Sequence, residues 1–298
     1  MLMKPTLINK IEDIFGDGIA EISLYDFSRG NITEESRIYH ITTVASICYA
    51  NDSIVGKESL YNRLAAEAAG LPSSSFEFIP VLLNLDRVSM IQDVYNHTDS
   101  GIPRILKYGE VIKEGYLLTN YRALLYDYER LKAAGIDMPE ILEFYNTEEE
   151  CVVIKKYAYT FLTKMDISTS KQYNRHRVNL QELSRRYVSG KKVNFELYHE
   201  QSMLTKIGPD LSAEVLEHGL ASIDLYNKLI EKGVKPQSAR RVIPQSMYTT
   251  IWGGFNLEQV NNFLQLRLDE HAQWEIRQIA IAMDKLLPAV NAIDIYKK

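Results

Sequence analysis

Lys171-Gln172-Tyr173-Asn174-Arg175-His176-Arg177, then Val178-Asn179-Leu180-Gln181-Glu182-Leu183, then Ser184-Arg185-Arg186-Tyr187, is the most basic stretch of the chain. From Lys171 to Lys192 seven lysines and arginines stand against one acid, Glu182, a local charge of +6 in a chain whose total is -5. A basic island in an otherwise acidic protein focuses small anions, because the surrounding surface repels extended polyanions. The balance argues against a general nucleic-acid or anionic-membrane binder. Arginine's planar fork matches phosphate and carbonyl-rich rings better than lysine's point charge, so Arg175, Arg177 and Arg186 suit a phosphate-bearing ligand with a carbonyl-rich ring. Ser184 adds a small hydroxyl and Glu182 an acceptor. A basic run taken alone is more often a solvated face; the order of residues within this one narrows it.

Working outward, Val152 to Met165 is rich in β-branched and aromatic residues and reads as the strand that delivers the chain to the basic segment. Upstream, Gly18 to Phe27 alternates as a strand, and Glu35–Tyr49 and Glu58–Ala69 carry apolar residues at helical spacing, the second stopping at Gly70 and Pro72. The turn-rich Asn96–Pro103 leads to a helical piece from Asn120 to Ala134, ended by Gly135. Glu148, Glu149 and Glu150 close that part on a solvated, acidic note. Downstream, Ser212–Lys232 is an amphipathic helix closed by Gly233, and one final helix is expected from about Leu257 to Leu287. The fold class is therefore α+β, with strands in the middle and helices around them.

The 298 residues, 46% hydrophobic and 24% charged, are those of an ordinary globular chain with room for a sizeable core. Two cysteines, Cys48 and Cys151, are too few for a disulfide framework or a four-cysteine zinc site. Cys48 lies on an apolar helical face and reads as a packed core thiol. No window approaches a membrane span, so a cytoplasmic protein without export signal or anchor is expected. There is no Gly-rich phosphate loop and no nucleophile elbow. His271 and Glu275 are four apart on one helix, but without a third ligand they make a poor metal site, and none is expected.

Arg175-His176-Arg177, a spacer, then Ser184-x-Arg186-Tyr187 resembles the signature of flavin-dependent thymidylate synthases, and Gln172 also fits. Phe263-Leu264-x-Leu266-Arg267 followed by His271-Ala272-Gln273-Trp274-Glu275-Ile276-Arg277 is similar to that family's carboxyl-terminal helix. Ala239-Arg240-Arg241-Val242-Ile243-Pro244 with Tyr248, and Ser74-Ser75-Phe76-Glu77 after Ala45-Ser46-Ile47-Cys48-Tyr49, match further segments in the family's order. The resemblance implies a single domain over 1–298 with a central, mostly antiparallel sheet flanked by long helices, and an insertion at about 86–155. It implies reductive methylation of dUMP to dTMP, with FAD as cofactor and NADPH and methylenetetrahydrofolate as co-substrates. It also implies a homotetramer with shared active sites.

Carried onto this chain, the resemblance puts the nucleotide on Gln172, Arg175, Glu182, Ser184, Arg185, Arg186, Arg240 and Arg267, with Arg267 and Ser184 nearest the chemistry and Arg267 polarising the uracil. The flavin falls to Arg175, His176, Arg177, Gln181, Glu182, Asn256, Asn262 and His271, with Cys48, Ser74 and Glu77 from neighbouring subunits. The chain departs from the pattern in three ways. The spacer Val178–Leu183 has six residues where the family has seven, which implies a tightened loop bearing Gln181 and Glu182. Glu258 stands where an arginine usually helps hold the flavin, and Phe78 and Pro72 stand in place of histidines. Thr119-Asn120-Tyr121-Arg122 resembles the missing Asn-x-Arg pattern, which makes Arg122 a candidate replacement cation. These departures keep two alternatives open: a methylase of another pyrimidine nucleotide such as UMP or dCMP, and a nucleotide-binding relative without catalysis.

Overall fold

The structure, a computed structural model, describes residues 4–66, 71–98, 101–186, 188 and 195–290. The chain opens with β1 (Thr6–Ile11), β2 (Glu21–Asp26), α1 (Glu34–Tyr49) and α2 (Glu58–Ala65). A middle part follows: β3 (Pro80–Asn84), α3 (Leu85–Thr98), α4 (Arg104–Lys107), β4 (Glu110–Val111), β5 (Tyr116–Asn120), α5 (Tyr121–Ala133), α6 (Pro139–Leu142) and α7 (Glu148–Ile154). The last part holds β6 (Ala158–Asp166), α8 (Ile167–Tyr173), β7 (Asn179–Glu182), α9 (Gln201–Ile207), α10 (Pro209–Glu231), α11 (Pro236–Ala239), β8 (Tyr248–Asn256), α12 (Leu257–Arg267) and α13 (Trp274–Leu286).

Five strands form one sheet in the order β1-β2-β6-β8-β7, every neighbouring pair antiparallel. The α+β class and the antiparallel central sheet expected above are what the fold contains. Alternation decides which face is buried: Ile22 and Leu24 of β2, Tyr159 and Phe161 of β6, and Ile251 and Phe255 of β8 share a core with Phe263, Leu264, Ile276, Ile279 and Met283. Burying one such side chain contributes roughly 1.5–3 kcal/mol, so α12 and α13 are held against the sheet mainly by apolar packing. Glycine is required at position 253, where a Cβ would run into Tyr173 Oη.

A three-stranded antiparallel sheet, β3-β5-β4, packs with α3, α5 and α1 around a separate core containing Val81, Leu83, Leu117, Leu124, Leu131, Ile41 and Ala45. Arg37 of α1, 3% exposed, ties this unit to the first helix. It donates from Nε to Asn31 Oδ1 at 2.8 Å, from Nη1 to Tyr121 Oη at 2.6 Å and from Nη2 to the Phe144 carbonyl at 3.2 Å. Its guanidinium lies 3.9 Å from the Tyr121 ring centroid, so ring quadrupole and neutral dipoles compensate the buried charge.

Four strands end on the residue that caps the next helix: Asn84 accepts from Arg87 N, Asn120 from Ala123 N, Asp166 from Thr169 N, and Asn256 from Gln259 N. Each cap satisfies an amide that the first helical turn leaves open. Asn256 and Gln259 complete a reciprocal capping box.

Three expectations need correction. Glu148–Glu150 are the first turn of α7, capped reciprocally by Thr147 and Glu150, so the strand begins at Ala158 and not at Val152. The β-branched run at 152–154 is overridden by that cap. Second, the spacer Val178–Leu183 is not a tightened loop, because most of it is the edge strand β7, paired to β8 from Asn179↔Gly254 to Glu182↔Ile251. Third, the final helix is broken between Arg267 and Trp274, where Asp269 Oδ1 accepts from His271 N at 2.9 Å and the Asp269 carbonyl from Ala272 N at 3.1 Å. The arginine segment Ala239–Pro244 is the end of a four-residue helix followed by a 3-10 turn, Arg240–Val242. The second early helix is described to Ala66; Ala69, Gly70, Tyr187, Lys191 and Lys192 lie outside the described residues. No helix among the described residues is long and apolar enough to cross a membrane.

Candidate functional site

A cavity of about 1090 Å³ lies between the two sheets. One wall comes from β6, the turn Arg177–Asn179, the end of β8 and the start of α12; the other comes from α4, β5 and the start of α5. Two of these caps, Asn120 and Asn256, line it, so α5 and α12 open onto the same space. Arg122 and Glu258 occupy the same position after those caps, and both line the cavity. Of the flavin residues carried over from the sequence, Glu77, Arg177, Asn256 and Asn262 are here. Arg122 donates from Nε to the Pro72 carbonyl at 2.8 Å and from Nη1 to Glu77 Oε1, which fixes both side chains. Phe78 is 3% exposed and packs with Phe27, Val44 and Trp252, so the position is an apolar part of the wall.

Arg175, His176 and Arg267 form a second group. Arg267, at the end of α12, donates from Nε to His176 Nε2 at 2.8 Å. Burial, and then the Arg267 cation, push the His176 imidazole down to about 4. It is therefore neutral and accepts this bond at neutral pH. Burial and the nearby Arg175 guanidinium lower Arg267 as well. Among the described residues neither arginine forms an ion pair, and the Nη atoms of Arg267 make no hydrogen bond. Two like charges held together without a carboxylate suit an arriving anion. Close by, Gln172 donates to Gln273 Oε1.

His176 gives the first expected result. Its proton affinity is lower folded than unfolded, so the unfolded chain binds more protons between about pH 6.5 and 4. Stability is therefore full above that window and falls as pH drops through it. An NMR pH titration of the imidazole should place the His176 midpoint near 4; a midpoint at its ordinary 6.5 or above would show that burial and the Arg267 cation do not act on it and would end this account of the pair.

Alternation along β7 separates the residues that the sequence places side by side. Gln181 faces α1 and the 3-10 turn Ser74–Phe78: its Oε1 accepts from Ser74 Oγ at 2.9 Å and its Nε2 lies 2.9 Å from Cys48 Sγ. Cys48 is half-buried, and its Sγ also donates to the Glu182 carbonyl at 3.2 Å, so it is not the packed core thiol expected above. Glu182 turns the other way, accepting from Thr249 Oγ1 at 3.0 Å. Arg185 is 9% exposed; its Nη2 donates to the Tyr248 carbonyl at 2.7 Å, while Nε and Nη1 have no partner. Ser184 Oγ accepts from Arg186 N at 3.3 Å.

Within one chain these residues do not converge on a single spot. Cys48, Ser74, Arg175, His176, Gln181, Glu182 and His271 are absent from the described lining of the cavity. Arg240 is exposed on its turn. His271 is exposed beside Asp269, 2.9 Å away, whereas Glu275 is buried and accepts from Tyr198 Oη at 2.8 Å, so the two serve different partners. Sequence reading missed Arg104, Lys107, Tyr108, Glu110 and Tyr126 in the cavity wall, which belong to no motif. Asn179, also missed, lines the cavity and donates to the Glu77 carbonyl at 3.0 Å; its place two residues after Arg177 was the available signal.

The family described as Thymidylate synthase complementing protein matches residues 137–290. That span takes in the Arg175–Arg186 segment and the Arg267 helix together. The chain belongs to the flavin-dependent thymidylate synthase family. It is 38% identical over 133 residues to the flavin-dependent thymidylate synthase of Thermotoga neapolitana, a match covering 43% of this chain and 60% of that relative. The enzyme of Thermosipho melanesiensis is 35% identical over 186 residues, covering 54% of this chain and 80% of its own. That of Thermosipho africanus is 33% identical over 178 residues, covering 52% and 78%.

Proposed function

We propose that the chain methylates dUMP to dTMP with carbon from methylenetetrahydrofolate, FAD as bound cofactor and NADPH as its reductant, in a homotetramer. The observation that carries the reading is the Arg175–His176–Arg267 group. A neutral imidazole fixes the Arg267 guanidinium by its Nε and leaves both Nη atoms for a substrate. There Arg267 polarises the uracil carbonyls and stabilises negative charge as the ring carbon attacks, a preorganised electrostatic role. Arg175, Arg185, Arg186 and Arg240 hold the phosphate, with Gln172, Glu182 and Ser184 completing the nucleotide contacts. Buried Nε and Nη1 of Arg185 are unspent donors of the kind a phosphate or carbonyl satisfies.

The cavity fits a flavin. Its volume exceeds that of an ordinary small-molecule pocket of roughly 300–1,000 Å³. Its wall combines apolar Phe78 and Phe255 with the amides of Asn256 and Asn262 and the cation of Arg177. When bound, the flavin supplies hydride. The chain's own task is to stack, orient and exclude water. Of the three residues that the resemblance draws from neighbouring subunits, Cys48 and Ser74 lie off the cavity of one chain, which supports a site completed by a second subunit, while Glu77 lines it. The stretch 86–155 is read as an insertion; most of it precedes the family match, and it supplies the second wall.

Formation of dTMP from dUMP with all three co-reactants tests the proposal. Flavin oxidation stimulated by UMP or dCMP but not dUMP would reject it in favour of another pyrimidine, and bound flavin without turnover would favour a binding protein. Arg122 is proposed as the cation replacing the arginine that Glu258 displaces. Arg122→Ala should weaken flavin binding by about tenfold, read by flavin fluorescence on the apo-protein, the cost of losing one charge-assisted contact. An unchanged affinity would leave Arg122 only as the partner of Glu77.

A further inference from the structure

The cavity holds more charge than the flavin reading uses. Arg104 and Lys107, both on α4, line it together with Tyr108 and Tyr126, and all four precede the family match at residue 137. Arg104 is held by neutral partners: Nη1 donates to Tyr108 Oη at 2.8 Å, and its guanidinium lies 4.5 Å from the Tyr126 ring centroid. Lys107 is exposed, with its ammonium 5.7 Å from the Tyr108 ring. Among the described residues neither cation forms an ion pair.

The helix that carries them is fixed from below. Asp127, fully buried on α5, accepts from Arg104 N at 2.8 Å, from Ile105 N at 2.9 Å and from Tyr95 Oη at 2.5 Å. A buried carboxylate spent on anchoring a four-residue helix places both cations on rigid backbone, as a binding site requires and a solvated loop does not. Thr119, 5% exposed, lines the same cavity with its Oγ1 unpartnered, a second polar group awaiting a ligand.

We infer that Arg104 and Lys107, flanked by Tyr108 and Tyr126, form an anion subsite that takes the phosphate or carboxylate end of a planar-ring ligand seated in the cavity. The inference rests on the flavin and folate reading above, which offers two sources of that chemistry: the diphosphate end of the flavin dinucleotide and the glutamyl tail of the folate. Tyrosine faces take a planar group and the two cations its charge.

The test uses the full-length protein and binding, independent of turnover. FAD and FMN affinities are measured by flavin fluorescence on the apo-protein, and mono- and polyglutamyl folate by equilibrium dialysis, for the parent and for Arg104→Gln/Lys107→Gln. The double variant should lose about tenfold in affinity for the longer member of one ligand pair, FAD or polyglutamyl folate, and little for its shorter partner. Loss for FAD but not FMN assigns the diphosphate; loss confined to polyglutamyl folate assigns the tail. Affinities for all four within about twofold of the parent would overturn the subsite. If the double variant fails to fold, Lys107→Glu serves, since Lys107 is exposed; charge reversal should weaken the same ligand, and no change would again overturn it. Absence of dTMP formation by the parent protein would count against the proposed function and leave these affinities readable.

Discussion

Replacing Arg267 with alanine is expected to lower dTMP formation by about 10²- to 10³-fold, the usual loss when one preorganised donor aimed at developing charge is removed. Stability should change little, because the side chain is half-buried at the end of α12 and makes a single hydrogen bond within the chain. The same substitution has a second readout that a merely structural role would not move. Arg267 is one of the two causes that hold the His176 imidazole down, burial being the larger. Without it the imidazole midpoint rises from about 4 but stays below its ordinary 6.5. Arg267→Lys keeps a charge but not the fork, so it should recover part of the nucleotide affinity and little of the rate. Full activity in Arg267→Ala would end the role assigned to this residue.

Arg37→Ala is expected to be the most destabilising single change away from the site, costing about 3 kcal/mol in urea unfolding. The loss removes several charge-assisted hydrogen bonds at once and strands Asn31 Oδ1 and Tyr121 Oη in a buried setting. Lysine at this position cannot reproduce the fork between Asn31 and Tyr121 and should rescue little. Because Tyr121 begins α5, one wall of the cavity, flavin affinity should fall along with stability. A loss under about 1 kcal/mol would show that the ring contacts and neutral dipoles contribute little beyond packing.

Much of the central sheet was legible because its signals are local. Alternation in Ala20, Ile22 and Leu24 marks β2, and Gly135 and Gly233 mark where helices stop. The arginine segment was legible as chemistry, and its grouping with Arg267 came only with the family resemblance. The break at 268–273 was not legible, since the apolar stripe continues on both sides and the turn depends on one Asp269 side chain. Likewise Val152-Val153-Ile154 has strand composition, and the Thr147-x-x-Glu150 box that makes it helical was available but unweighed. Opposed directions of Gln181 and Glu182 follow from β7 being a strand, which a residue count between motifs does not reveal. Arg104 and Lys107 reach the cavity through the Asp127 anchor, a contact across more than twenty residues with no periodicity to announce it.

Arg177 has a backbone φ of +53°, in the left-handed region where a side chain costs about 1 kcal/mol relative to glycine. It sits between the 3-10 turn Asn174–His176 and β7, so this conformation turns the chain from the Arg267 group to the cavity edge. Glycine would relax the turn and delete the cation from the cavity wall in one step. At this position backbone comfort and the charge of the cavity wall pull in opposite directions, and a screen for heat resistance alone would favour the residue that removes the cation.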